Sequence, residues 1–161
     1  MSRRAQTGGM RVSHRMTVFA FALVAAVTGA AVSGCAADTG PRTVLSTVQT
    51  SVGEIVADAD GHAVYLYSED TQGADESTCE GSCLAAWPAV TTTSTDPQGD
   101  GITGTIGEIP AAGGGYQVTL DGWPLYYFDG DTAPKMIKGQ GIGGVWWLMS
   151  PDGQRITDIG R

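Results

Sequence analysis

Apolar and polar residues alternate along most of this chain in short, strand-length runs. Residues 52–57 are β-prone, residues 58–61 (D-A-D-G) carry turn chemistry, and residues 63–67 supply a second arm, which predicts a β-hairpin. Asp-Gly suits such a turn because Gly tolerates positive φ and Asp can hydrogen-bond its own backbone. Along Val64-Tyr65-Leu66-Tyr67 successive side chains point to opposite faces, so Tyr65 and Tyr67 share one. The pattern then returns. Residues 116–120 predict a strand, Asp121-Gly122 a turn, and residues 125–128 a strand on which Tyr126 and Phe128 share a face. Residues 145–149 predict another strand, Pro151-Asp152-Gly153 a hairpin turn, and residues 154–159 a closing strand.

The two units share their letters as well as their pattern. Residues 60–71 read D-G-H-A-V-Y-L-Y-S-E-D-T and residues 121–132 read D-G-W-P-L-Y-Y-F-D-G-D-T. Asp60/Asp121, Gly61/Gly122, Tyr65/Tyr126, Asp70/Asp131 and Thr71/Thr132 are identical pairs. Residues 69–81 and the Gly-rich residues 129–144 read as loops. Residues 91–115 form a Thr/Gly-rich connection. A structureless loop of that length is uncommon, so one weak strand is expected near residues 102–109. No stretch after residue 35 shows sustained helical periodicity. The expected fold class is all-β: two related antiparallel hairpin or meander repeats, about residues 48–90 and 113–155, packed as one small domain over 48–161.

A helical signal segment precedes that domain. Arg3, Arg4, Arg11 and Arg15 make a positive start, and residues 18–32 are uncharged and apolar. Such a run is shorter than the ~20 residues a membrane-spanning helix needs, so residues 1–34 read as a signal peptide and not as a permanent span. Val32-Ser33-Gly34-Cys35 resembles a bacterial lipobox. The resemblance implies cleavage before Cys35 and its acylation with palmitate-like chains. Burial of such chains at about 0.8 kcal/mol per methylene anchors a protein stably once two are present. Residues 35–47, small and polar with Gly40-Pro41 as a breaker, read as a flexible tether. The expected location is the extracytoplasmic side of the cell membrane, held by the lipid.

Charge narrows the partners. All seventeen acidic residues follow Cys35, but only Arg42, Lys135, Lys138, Arg155 and Arg161 are basic there, a formal charge near −12. Phosphate backbones repel such a domain, so nucleic acid is excluded as a partner. An envelope protein or a glycan remains.

Several constellations carry candidate chemistry. Cys79 and Cys83 stand in an exported chain, where disulfides persist, and Gly81 permits the tight turn a bond between them needs. The same pair, with Met136 or Met149, could instead hold Cu(I), which favours soft sulfur ligands. Asp58, Asp60, Asp70, Asp129 and Asp131 offer oxygens for Ca²⁺ but lack a linear calcium-loop spacing; each can equally accept backbone N–H bonds where a strand ends. Of the aromatic rings, most belong in a core, while Tyr127 and Trp147 alternate out of phase and are expected to be exposed, where they could line a partner's groove. An enzyme reading needs Asp70, Asp131 and His62 to converge. There is no Gly-x-Ser-x-Gly elbow and no H-E-x-x-H, and the Gly-rich residues 139–144 lack a phosphate-loop Lys. The expectation is a non-enzyme with no cofactor and no metal.

Tyr65, Tyr67 and Asp70, repeated as Tyr126, Phe128 and Asp131, spell a Tyr-x-aromatic-x-x-Asp motif. With Cys79, Cys83 and Trp87-Pro88, then Gly139-Gln140-Gly141, Trp146 and Pro151-Asp152-Gly153, it resembles the tandem secreted-repeat lipoproteins of unknown function. The resemblance covers roughly residues 52–153 and implies an exported, β-rich lipoprotein with no assigned activity. A non-enzymatic binding or scaffolding module of the envelope is the leading expectation, and a redox or copper-handling module is the alternative.

Overall fold

Two strands whose side chains are buried on both faces, Tyr65–Tyr67 and Trp123–Tyr126, set the architecture, because each needs neighbours on every side. The computed structural model of the chain describes residues 42–159. The signal segment, Cys35 and the first part of the expected tether lie outside these residues.

The chain opens with a hairpin of β1 (Arg42–Thr50) and β2 (Gly53–Asp58), in register from Leu45↔Asp58 to Thr50↔Gly53. Strand β5 (Pro97–Gly99) joins the other edge of β1 in parallel, completing a three-stranded sheet. Residues 42–47, expected as tether, are therefore strand. Their Ser and Thr residues lie on partly exposed positions and disguise the element, while Leu45 is fully buried and fixes its inward face.

The larger sheet holds β3 (Tyr65–Tyr67), β4 (Thr91–Thr92), β6 (Ile106–Pro110), β7 (Tyr116–Leu120), β8 (Trp123–Tyr126) and β9 (Trp146–Leu148), in the order β4-β7-β8-β3-β9 with β6 beside β7. The weak strand expected near 102–109 is β6. The two Asp-Gly turns differ despite their identical letters. Asp121 (φ 47°) and Gly122 (φ 78°) both take positive φ, which a type I′ turn requires, and β7 and β8 form the expected hairpin. In the first repeat the Asp58 carboxylate accepts the N–H groups of Asp60 and His62, each at 2.9 Å, and widens the turn. The hairpin expected between residues 52–57 and 63–67 shrinks to one bridge, Ala57↔Ala63. Beyond it, β3 leaves β2 for longer pairings with β8 and β9. The expected closing strand at 154–159 likewise reduces to a bridge, Met149↔Arg155. A one-turn helix, α1 (Ser82–Ala86), follows Cys79 and was hidden from periodicity by its five-residue length.

At the centre Tyr65 lies opposite Tyr126. Around that pair the halves interlock. Strand β3 of the first repeat pairs with β9 of the second, and Ser68 N–H donates to Val145 at 2.8 Å. Strand β8 of the second repeat receives the matching segment of the first. Tyr127 N–H donates to Pro88 (2.7 Å), Val90 N–H to Leu125 (2.9 Å) and Asp129 N–H to Ala86 (3.0 Å). Each central strand is thus closed by the other repeat's final segment. One face of the pair is aliphatic, with Val64, Leu66, Leu125, Val118, Leu120 and Met149. The opposite face is aromatic, with Tyr65, Tyr126, Trp87 and Trp146.

A repeat alone lacks both the closing strand and half of the aromatic face. Residues 42–104 and 105–159 produced separately are expected to show no cooperative urea transition and no near-ultraviolet circular dichroism from ordered Trp. Cooperative unfolding by either half would contradict the interlock.

Candidate functional site

The repeated motif assembles on the aromatic face, and its partners are crossed. Tyr65 of the first repeat donates its hydroxyl to Asp131 of the second at 2.5 Å, and Tyr126 of the second donates to Asp70 of the first at 2.7 Å. Each aspartate follows its strand by a short turn, closed by Asp70 N–H to Tyr67 (3.1 Å) and Asp131 N–H to Phe128 (2.9 Å). The free carboxylate oxygen then ties down the next loop. Asp70 accepts from Thr78 N–H and Oγ1, both at 2.7 Å, and Asp131 accepts from Lys138 N–H at 2.8 Å. The tyrosine oxygens have a second partner: Gly139 N–H reaches Tyr65 at 3.2 Å, and the Ser77 hydroxyl meets Tyr126 at 2.5 Å.

A four-ring stack runs beside these bonds and is crossed in the same way. Tyr67 stacks on Trp146 (4.3 Å between centroids), Trp146 on Trp87 (3.8 Å), and Trp87 packs against Phe128 (4.5 Å). Neighbours in the stack always come from different repeats. Tyr65 and Tyr126 set their edges against Trp87 and Trp146 at 5.5 and 5.2 Å, the geometry that ring quadrupoles favour. Gly139 is glycine because a Cβ there would stand 2.8 Å from Tyr65 Cζ and 2.9 Å from the Trp87 ring.

Burial, reinforced by the Asp131 carboxylate, pushes the Tyr65 phenol far above its ordinary range. Burial also raises Tyr126, with Ser77 opposing and Asp70 adding to the shift. Tyr127 is raised by burial and by Asp58, to which its hydroxyl donates at 3.1 Å. These phenols are held as neutral donors, the opposite of what an ionised nucleophile or base requires.

The other candidate residues fall elsewhere. Cys79 and Cys83 are joined by a disulfide with Cα atoms 5.3 Å apart. Met149 is fully buried in the aliphatic cluster, whereas Cys79 belongs to the aromatic one; Met136 accepts a contact from Thr132 Oγ1. Asp58, Asp60, His62 and Asp131 line a recess of about 350 Å³ with Tyr127 and Phe128. Asp70 lies outside that recess, so the Asp70–Asp131–His62 convergence does not form. Among the described residues no group of three or more His, Cys, Asp or Glu side chains is placed to hold a metal ion. Tyr127 and Trp147, expected to be exposed, are half-buried against the aliphatic cluster. Tyr127 lies just past β8 and Trp147 on β9, and the aliphatic cluster covers both from that side, so alternation does not deliver them to solvent. Arg155 covers the Trp147 ring at 5.5 Å.

Sequence reasoning singles out every motif residue and gives each aspartate backbone N–H donors after its strand, but it does not supply the tyrosine partners from the other repeat.

The crossing can be measured. Asp70→Ala leaves Thr78 N–H and Tyr126 with lost partners and is expected to cost about 1–3 kcal/mol. In urea double-mutant cycles, Tyr65→Phe with Asp131→Ala, and Tyr126→Phe with Asp70→Ala, should couple by about 0.5–3 kcal/mol, while the within-repeat pairs stay additive to within ~0.5 kcal/mol. Coupling within a repeat would contradict the geometry. A raised phenol keeps its proton in the fold after the unfolded chain has lost its own. Stability is therefore fully present below about pH 10, the unfolded range, and falls above it. A titration followed at 295 nm should show Tyr65, Tyr126 and Tyr127 ionising only as the protein unfolds.

The comparisons with known proteins agree with this architecture. A family model described as a secreted repeat of unknown function matches twice, at residues 46–91 and 109–149. These segments correspond to β1 through the start of β4 and to the end of β6 through β9. No curated protein and no solved structure matches. The matches span more than half of the chain, and it belongs to the family of secreted repeats of unknown function, as a tandem pair.

Proposed function

We propose that this chain is a lipid-anchored, non-enzymatic binding or scaffolding module on the extracytoplasmic face of the cell membrane. One observation carries the reading: the motif's hydroxyls and carboxylates bind one another across the repeat boundary, so the motif serves as a frame that joins the repeats. The frame leaves its loops to face outward, which suits an envelope protein or glycan partner. The strongly acidic exterior suits neither nucleic acid nor anionic headgroups. The lipid on Cys35, which lies outside the described residues, supplies the membrane contact. The Cys79–Cys83 bond, and the placement of Cys79 and Met149 in different core clusters, favour this reading over a redox or copper-handling module.

Metabolic labelling with a palmitate analogue tests the anchor. The wild-type chain should carry label and partition with membranes, and Cys35→Ala should lose the label and the membrane association. An unlabelled wild-type chain would overturn the proposal. Thiol counting adds a second check: no free thiol is expected in the exported protein, and two thiols that titrate with Cu(I) would favour copper handling.

A further inference from the structure

The two halves use the same frame but finish it differently. In the second repeat the pairing of β9 with β3 turns the Leu148 N–H and C=O away from β3. Both are taken up. Leu148 N–H donates to the Gln140 side chain at 2.8 Å, and Ile156 N–H donates to the Leu148 carbonyl at 2.8 Å. Two residues on, Ser150 N–H donates to Gln154 at 2.8 Å. The Gln140 amide also grips the carbonyls of Ile156 and Asp158, each at 2.7 Å. The outer edge of this closing segment is thus filled by the chain's own residues 154–158.

The first repeat has the same edge without the filling. Ala89 stands to Trp87 as Leu148 stands to Trp146, and it lies opposite Tyr126 as Leu148 lies opposite Tyr65. Tyr127 N–H to Pro88 and Val90 N–H to Leu125 are the bonds that flank it, so the Ala89 N–H and C=O point away from β8. Val118 N–H to Val90, with the Thr91↔Gln117 pairing, turns Thr91 outward in the same sense. Among the described residues the Ala89 N–H has no hydrogen-bond partner. This edge opens into a cleft of about 520 Å³. Leu84, Pro88, Ala89 and Thr91 line it together with the β6–β7 turn and with Glu76 and Glu80. Both glutamates are exposed, and no Lys or Arg lines the cleft.

We infer that this cleft takes an extended segment of a partner protein, added as a strand along residues 89–91 and carrying Lys or Arg toward Glu76 and Glu80. The backbone edge supplies register and direction, as in other strand-addition sites, and the paired carboxylates supply the preference for a cation. The segment occupies in the first repeat the place that residues 154–158 occupy in the second. The inference deepens the binding-module reading by giving the partner a chemistry. It does not depend on the lipid, so failure of the labelling experiment and failure of the cleft are separate results.

The probes are three synthetic peptides titrated into ¹⁵N-labelled soluble domain bearing Cys35→Ala. One is Gln-Arg-Ile-Thr-Asp-Ile, the sequence that fills the equivalent edge. The second replaces its Asp with Lys, and the third replaces its Arg with Glu. Amide signals of Ala89 and Thr91 are expected to shift, and most strongly with the doubly cationic peptide. Glu76→Gln with Glu80→Gln should weaken that binding about tenfold at low salt and much less at high salt. Ala89→Pro, which removes an N–H the fold does not use, should abolish the peptide-induced shift of Thr91. Should that variant misfold, the double glutamine variant still decides. Equal binding of the acidic peptide, or no shift at Ala89 and Thr91 with any of the three, overturns the inference. Shifts that appear without peptide as protein concentration rises would identify a second copy as the occupant, and would also overturn it.

Discussion

The fold depends on two hydrogen bonds that cross between its halves, Tyr65 to Asp131 and Tyr126 to Asp70. The Asp70 carboxylate alone would be a poor tenant of this interior, because a buried charge without donors is costly; Asp131 is half-buried. Here each receives one phenol from across the boundary and backbone or hydroxyl donors from its own loop. Asp70, 5% exposed, collects three donors. The bonds therefore do two jobs at once. They join the repeats, and they fix where each strand hands over to its loop. The ring stack obeys the same rule, since no ring in it packs face to face against one of its own repeat. With both polar and apolar contacts crossed, the pair of repeats is the unit that folds.

This arrangement explains the composition of the motif. The tyrosine must be long enough to span from its strand to the other repeat's loop, and must end in a donor. Phe would fill the space and lose the bond. The second aromatic needs only a face for stacking, and the chain uses Tyr67 in one copy and Phe128 in the other. The aspartate is short and sits where its strand ends, so its backbone can turn while its side chain points inward.

The fold class and the two repeats were legible because the letters repeat and because strand periodicity is local. What stayed hidden was pairing. Residues 63–67 were read as the partner of residues 52–57, since a turn joins them, but β3 gains more from β8 and β9 than from β2. Local turn chemistry shows that the chain reverses and does not show where the next strand docks. Residues 42–47 of β1 read as tether for a different reason: the Thr-, Ser- and Gln-rich strand lines a partly exposed hairpin, and only Leu45 is fully buried. At the candidate site the residues were visible and their crossing was not, because nothing in a single repeat distinguishes its own aspartate from its twin. Tyr127 and Trp147 show the converse: alternation implies an exposed face, but the aliphatic cluster lies against that side and half-buries both.

Departures from symmetry are as informative as the symmetry. The loop after Asp131 is held by Gln140, whose side chain reaches Leu148 N–H and the carbonyls of Ile156 and Asp158. Among the described residues the loop after Asp70 has no equivalent segment to grip, and there the Cys79–Cys83 disulfide stands instead, just ahead of Trp87, whose N–H donates to the Cys83 carbonyl at 2.8 Å. A ring this small removes little entropy from the unfolded chain, so its value lies in position more than in global stability. It keeps Trp87 in the stack without any element laid across the neighbouring strand edge. One repeat is locked by residues 154–158, which its Gln140 side chain grips. The other is locked by a covalent clip, and among the described residues nothing covers the outer edge at Ala89.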